Sequence, residues 1–127
     1  EEDIALEQVL QKKEKKEWIT THPEAKIEDV LSVMKEKEIS QLPVIKENEI
    51  VGTIYEKKVL QHIVSEGLSA YQTPVSAIMD AALPQFDGNT TVKELMKNIN
   101  GQDFSVISKD EFGSYNLVSQ YDILKAV

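Results

Sequence analysis

Apolar residues recur along the chain in two matching series. Ile27, Val30, Leu31 and Met34 follow Thr20-Thr21-His22-Pro23, while Val92, Leu95, Met96 and Ile99 follow Leu83-Pro84. Both quartets have the spacing 0, 3, 4, 7, which puts four apolar side chains on one helix face. The second helix also carries a start signal, because Thr91 and Glu94 make a T-x-x-E capping box. Short β-rich runs come next. The first half gives Leu42-Pro43-Val44-Ile45, a polar turn at Lys46-Glu47-Asn48-Glu49, and Ile50-Val51-Gly52-Thr53-Ile54. The second gives Phe104-Ser105-Val106-Ile107, a turn from Lys109 to Ser114, and Tyr115-Asn116-Leu117-Val118. Each pair predicts a hairpin. Each hairpin runs straight into another helix, marked by Val59, Leu60 and Ile63 in one half and by Ile123, Leu124 and Val127 in the other.

The repeated unit is therefore β-α-β-β-α, an α/β (α+β) arrangement used twice. One unit of roughly 60 residues buries too little apolar surface to stand alone. The expectation is that two units share a core, sheet on sheet, about a pseudo-twofold axis. Between them lies a bridge whose Thr73-Pro74-Val75-Ser76-Ala77-Ile78-Met79 segment predicts a turn opening a short helix. Ahead of both lies a charged stretch with a thin stripe of Ile4, Leu6, Val9 and Leu10, followed by Lys12-Lys13-Glu14-Lys15-Lys16. It predicts a linker helix whose stripe docks on the domain or a partner and whose lysines face solvent. The expected division is a linker helix over 1–17, a first motif over 18–70 and a second over 71–127. Gly52 fits a strand position where another backbone approaches closely.

Composition narrows the function. With 127 residues, 41% hydrophobic and 28% charged, the chain reads as globular, one ordinary domain or two very small ones. A formal charge of −8 makes it a poor match for nucleic acid or anionic lipid. The absence of cysteine excludes disulfides, thiolate catalysis and Cys-ligated metals. All 14 basic residues are lysine, so no guanidinium fork is available for phosphate or carboxylate. His22 and His62 lie far apart, which argues against a histidine metal site. No run approaches the ~20 apolar residues that span a bilayer. The chain opens on Glu1 without a signal segment, so it reads as a cytoplasmic protein or a piece of a longer one.

Several strings carry a family resemblance. They are Thr21-His22-Pro23, the Ile27 to Met34 helix, Ile39-Ser40-Gln41-Leu42-Pro43-Val44, Gly52-Thr53-Ile54, and Val118-Ser119-Gln120-Tyr121-Asp122-Ile123-Leu124. Together they resemble the cystathionine β-synthase (CBS) domain family in its tandem form, the Bateman module. The bridge from Thr73 to Met79, followed by Leu83-Pro84, resembles most closely the C-terminal regulatory region of cystathionine β-synthase enzymes. The resemblance implies a regulatory module with no catalytic residues or covalent cofactor of its own. It implies an adenosyl ligand, S-adenosylmethionine first and AMP, ADP or ATP as the alternative. It also implies an attached catalytic domain and a homodimer packed through the helices.

The implied site follows the same residues. Asp122 would accept both vicinal hydroxyls of a ribose with charge-assisted strength. Ser119 would stand beside it at the strand-to-helix junction. Ile39, Ser40, Gln41, Leu42 and Pro43 would wall the adenine, flanked by Val118 and Tyr121, with Thr20 or Thr21 at the edge. Ser119 and Asp122 are also what an ordinary N-cap with a first-turn acid looks like, and Ile39, Leu42 and Val44 what plain core looks like. At the matching positions of the first half stand Tyr55 and Lys58, facing Asp103 and Phe104, so that second site is expected to be empty or plugged, with Lys58 free to pair with Asp103. A triphosphate is disfavoured in an acidic chain without arginine, whereas the sulfonium of S-adenosylmethionine is tolerated. Other readings are a nucleotide sensor of another enzyme or transporter, and a ligand-free dimerisation element.

Overall fold

The computed structural model describes residues 3–13, 17–99 and 104–127. In chain order the elements are α1 (Leu6–Lys12), α2 (Ile27–Lys37), β1 (Gln41–Lys46), β2 (Glu49–Tyr55) and α3 (Glu56–Glu66). Short 3-10 turns at Gly67–Gln72 and Val75–Ala77 lead to β3 (Gln85–Asp87), α4 (Val92–Asn98), β4 (Ser105–Lys109), β5 (Tyr115–Ser119) and α5 (Gln120–Ala126). The expected mixed α+β architecture is present, with two small sheets. Two compact units result: Ile19–Ala82, and Glu1–Trp18 together with Leu83–Val127.

In the unit Ile19–Ala82, β1 and β2 form an antiparallel hairpin. Its turn residues Glu47 and Asn48 both have positive φ, at 50° and 66°, the two-residue geometry that matches strand twist. The first strand of the expected β-α-β-β-α unit is reduced here to one parallel bridge, Thr21 to Val44. Thr21 donates to the Pro43 carbonyl at 3.0 Å and its own carbonyl accepts from Ile45 at 2.8 Å. Pro23, two residues on, has no N–H to extend the ladder. The equivalent strand of the other unit, β3, pairs in parallel with β4 along its whole length. Ile27, Val30 and Met34 bury their face of α2 against Leu42, Val44, Ile54, Val59 and Val75. The third place in each quartet lies on the rim: Leu31 is half-buried and Met96 is 49% exposed.

The core of the other unit contains Leu6, Val9, Leu95, Val106, Val118, Ile123 and Ala126. Two of these belong to α1. Leu6 and Val9 are completely buried, so the apolar stripe of the leading segment is an integral part of this core. Its backbone is held by three hydrogen bonds: Leu6 to the Thr90 carbonyl (2.9 Å), Glu7 to Gly88 (2.9 Å) and Val92 to Ile4 (2.7 Å). The bridge makes the same three bonds in its own unit. Val75 donates to Ala25 (2.8 Å), Ser76 to Pro23 (3.0 Å) and Ile27 to Thr73 (3.0 Å). Residues 3–10 and 72–79 are thus structural counterparts, and Leu6, Val9 and Leu10 have the spacing of Val75, Ile78 and Met79.

After this shared beginning the two segments part. Asp80 crosses β2 in extended form, exchanging hydrogen bonds with Thr53 at 2.8 and 2.9 Å. Gly52 lies at the crossing, where a Cβ would fall 2.7 Å from Met79 Sδ and 2.9 Å from the Asp80 carbonyl. The close approach anticipated for this glycine is therefore real. In the other unit α1 instead winds on to Lys12, and Asn116 occupies the place of Gly52.

Helices α3 and α5, with Val127 just past the end of α5, divide their apolar residues unevenly. Val59 and Ile123 are buried, whereas Leu60, Leu124 and Val127 are 49%, 66% and 76% exposed.

The repeat also exposes a weakness. Ser108 stands where the first hairpin has Val44. Its hydroxyl is buried without a hydrogen-bond partner, and such an orphan costs about 1–3 kcal/mol. Ser108→Val is expected to stabilise the protein by roughly 1 kcal/mol, read as a higher urea midpoint at unchanged m-value. A lower midpoint would contradict this.

Candidate functional site

Asp122 and Ser119 meet at the start of α5. Strand β5 ends at Ser119, whose extended backbone (φ −90°, ψ 162°) turns the chain into the helix. The Ser119 hydroxyl accepts from the Asp122 N–H at 3.2 Å, and Asp122 Oδ2 accepts from the Ser119 N–H at 2.9 Å. This reciprocal box is the N-cap anticipated as the plainer reading of these residues. The Asp122 carboxylate does more than cap, however. Its Oδ2 also lies 2.9 Å from Lys13 Nζ, with the two side chains only 15% and 17% exposed.

Lys13 follows directly on α1, and its ammonium also donates to the Leu117 carbonyl on β5. In the other unit the Asp80 N–H donates to the carbonyl of Thr53, the counterpart of Leu117. A lysine side chain thus replaces the backbone crossing that α1, by staying helical, does not make. Lys12 reinforces the dock by donating to the Ala126 carbonyl at 3.1 Å, near the negative end of α5.

The electrostatic balance at Asp122 favours the carboxylate. Burial alone raises its pKa. The Ser119 backbone N–H, the Lys13 ammonium and the Ser119 side chain outweigh that and hold it below the ordinary 3.8. The carboxylate is ionised and preorganised at neutral pH. Both contacts fall on Oδ2, so Oδ1 takes no part in them.

The other residues anticipated for a site have diverse surroundings. Val118 is completely buried in the core. Tyr121 is 63% exposed, with Lys125 Nζ 5.5 Å from its ring centre. In the unit Ile19–Ala82, Leu42 and Pro43 are buried, Ile39 and Gln41 are half-buried, and Thr20 and Ser40 are exposed. The Ser40 carbonyl accepts from the Glu56 N–H at 2.9 Å, tying β1 to the start of α3. Residues 39–43 therefore form one contiguous group in that unit, and residues 118–122 another in its counterpart.

The matching positions of the first repeat, Tyr55 and Lys58, form a different assembly. Lys58 Nζ lies 3.5 Å from Asp80 Oδ1, with both side chains over 40% exposed. Asp103, the partner first considered for Lys58, lies outside the described residues. Burial and the nearby Asp80 carboxylate raise the Tyr55 phenol above its ordinary value. The helix of one repeat thus carries the acid of the pair and the helix of the other carries the base.

Sequence reasoning missed Lys13. Within a run of lysines it read as one more solvated residue. The signal was the repetition of the Leu6, Val9, Leu10 spacing at Val75, Ile78, Met79, which places α1 against β5 and α5. Among the described residues no group of three or more His, Asp or Glu side chains is arranged to hold a metal ion. No helix among them is long and apolar enough to cross a membrane.

The lowered pKa sets the sign of a pH test. Stability due to the Asp122 carboxylate is fully present above 3.8 and disappears as pH falls through the lower folded-state value. Lys13→Met is expected to be less stable than the parent near neutrality, with the gap closing below the ordinary carboxylate range. Urea unfolding across that range measures it. A gap independent of pH would contradict the ion pair.

Residues 7–65 match the family model of the CBS domain. No curated protein matches the chain. Among solved structures, a CBS-domain containing protein from Agrobacterium tumefaciens superposes with a TM-score of 0.76 at 19% identity, over 96% of this chain and 92% of that one. A putative signal-transduction protein with CBS domains from Burkholderia ambifaria gives 0.74 at 22% identity, over 97% and 93%. The CBS domain of the bacterial CNNM/CorC family Mg2+ transporter, in complex with ATP, gives 0.69 at 25% identity, over 87% and 78%. The CBS-domain match thus falls on residues 7–65, and solved proteins with CBS domains share the fold of nearly the whole chain.

Proposed function

We propose that this chain is a regulatory module that binds an adenosyl ligand through Asp122 and controls a catalytic domain attached to it. The observation that carries the proposal is the Asp122 carboxylate. It is ionised, only 15% exposed and fixed by the Ser119 box. A carboxylate can accept from both vicinal hydroxyls of a ribose, and its charge strengthens each bond. The similar transporter domain that holds ATP supports an adenine nucleotide as the class of ligand. S-adenosylmethionine is the second reading, carried by the resemblance of Thr73-Pro74-Val75-Ser76-Ala77-Ile78-Met79 to the regulatory region of cystathionine β-synthase enzymes. The Lys13 ammonium beside Asp122 counts against a sulfonium there and in favour of a phosphate.

Control would work through linkage. A ligand shifts an attached domain only by the difference in its affinity for the two states of that domain. Couplings of about 1–3 kcal/mol are ordinary.

Thermal unfolding with AMP, ATP, adenosine and S-adenosylmethionine tests the proposal, because binding to the native state raises apparent stability by mass action. At least one of the four is expected to raise the parent's Tm. Asp122→Ala, verified as folded by circular dichroism, is expected to lose that rise. An equal rise in the variant would remove Asp122 from the site. No rise in the parent with any of the four would leave the ligand-free dimerisation reading.

A further inference from the structure

We infer that Lys13 is a resident competitor for the sugar-binding carboxylate, one that an anionic ligand can draw aside and a neutral one cannot. The inference rests on the reading of Asp122 as the sugar anchor and adds to it the ligand's required charge. In the structure the ammonium is bound twice, by Asp122 Oδ2 at 2.9 Å and by the Leu117 carbonyl. Ribose hydroxyls that reach for both oxygens of Asp122 find Oδ2 already held by the Lys13 ammonium and the Ser119 N–H, with Oδ1 alone outside those contacts.

The partner left behind decides the outcome. A lysine that gives up a largely buried ion pair leaves its charge without a counter-ion, which is strongly unfavourable. A neutral nucleoside offers no replacement. A nucleotide does, because the phosphate on its 5′ carbon is an anion that the flexible four-carbon stem of Lys13 allows the ammonium to follow. The ligand then takes Asp122 with its sugar and Lys13 with its phosphate, and the charges remain paired. S-adenosylmethionine carries its sulfonium on that same 5′ carbon, where a displaced ammonium would meet a like charge.

The other unit carries a pair of the opposite polarity. Lys58 and Asp80 stand 3.5 Å apart, 48% and 41% exposed, with the acid at the end of the bridge and the base on the helix. The Lys13–Asp122 pair is shorter, more buried and of the polarity that puts the carboxylate where a sugar can use it. An exposed pair contributes little, whereas a largely buried one is costly to break. The cost of opening therefore falls on the one pair that stands at the candidate site.

Isothermal titration of adenosine and AMP into the parent and Lys13→Met provides the test. The parent is expected to prefer AMP to adenosine by about tenfold or more. Lys13→Met is expected to bind adenosine roughly fivefold tighter than the parent, and AMP more weakly, so that the preference nearly vanishes. Lys13→Gln, which keeps a donor for the Leu117 carbonyl without the charge, is expected to behave like Lys13→Met and secures the result if the methionine variant folds poorly. Equal weakening of both ligands would show that Lys13 only holds α1 in place, and would overturn the inference. So would an unchanged preference, or an adenosine affinity that does not rise. Failure of both ligands to bind any of these proteins would overturn the underlying reading of Asp122 as well, so the two failures are distinguishable.

Discussion

Each unit depends on a borrowed segment of chain to close its core. A small sheet with two short helices buries too little apolar surface by itself, and in both units the deficit is met by a stretch from outside the repeated elements. Residues 3–10 bring Leu6 and Val9, fully buried, to one core, and residues 72–79 bring Val75 to the other. Three equivalent backbone hydrogen bonds fix each segment on the turn before the first long helix of its repeat. This fixed docking determines which side chains lie beside the last helix of the unit.

The two segments share a beginning and differ at the end. One ends in an extended crossing, which requires Gly52 because the Asp80 carbonyl passes within 2.9 Å of a Cβ position. The other remains helical to Lys12, so the next residue reaches β5 with a side chain instead of its backbone. That substitution brings an ammonium to Asp122. A carboxylate serving only as a first-turn cap needs no such partner. The charge pairing joins the architecture of the core to the chemistry of the candidate site, and it lets the occupancy of one carboxylate report on a ligand's charge.

Much of this was legible in the residues. The quartets at Ile27 and Val92 gave α2 and α4, since helical periodicity survives whenever one face is buried. The polar turns at Glu47-Asn48 and before Ser114 gave the hairpins, because a reversal between strands needs residues tolerant of positive φ. The Ser119–Asp122 box was legible too, being local along the chain. The strand at Thr21 was over-read, since Pro23 limits it to one bridge. The partnership of α1 with α5 was missed because it joins positions more than 100 residues apart. No local pattern marks Lys13 out among its neighbouring lysines. Only the correspondence between residues 3–10 and 72–79 does, and it is a weak signal because Leu6, Val9 and Leu10 share spacing but not identity with Val75, Ile78 and Met79.

A crystal structure of the full chain with AMP would test the central claim most directly. The account requires both ribose hydroxyls within hydrogen-bond distance of Asp122, and Lys13 Nζ moved from Oδ2 to the phosphate. A nucleotide bound elsewhere, with the Lys13–Asp122 contact intact, would contradict it.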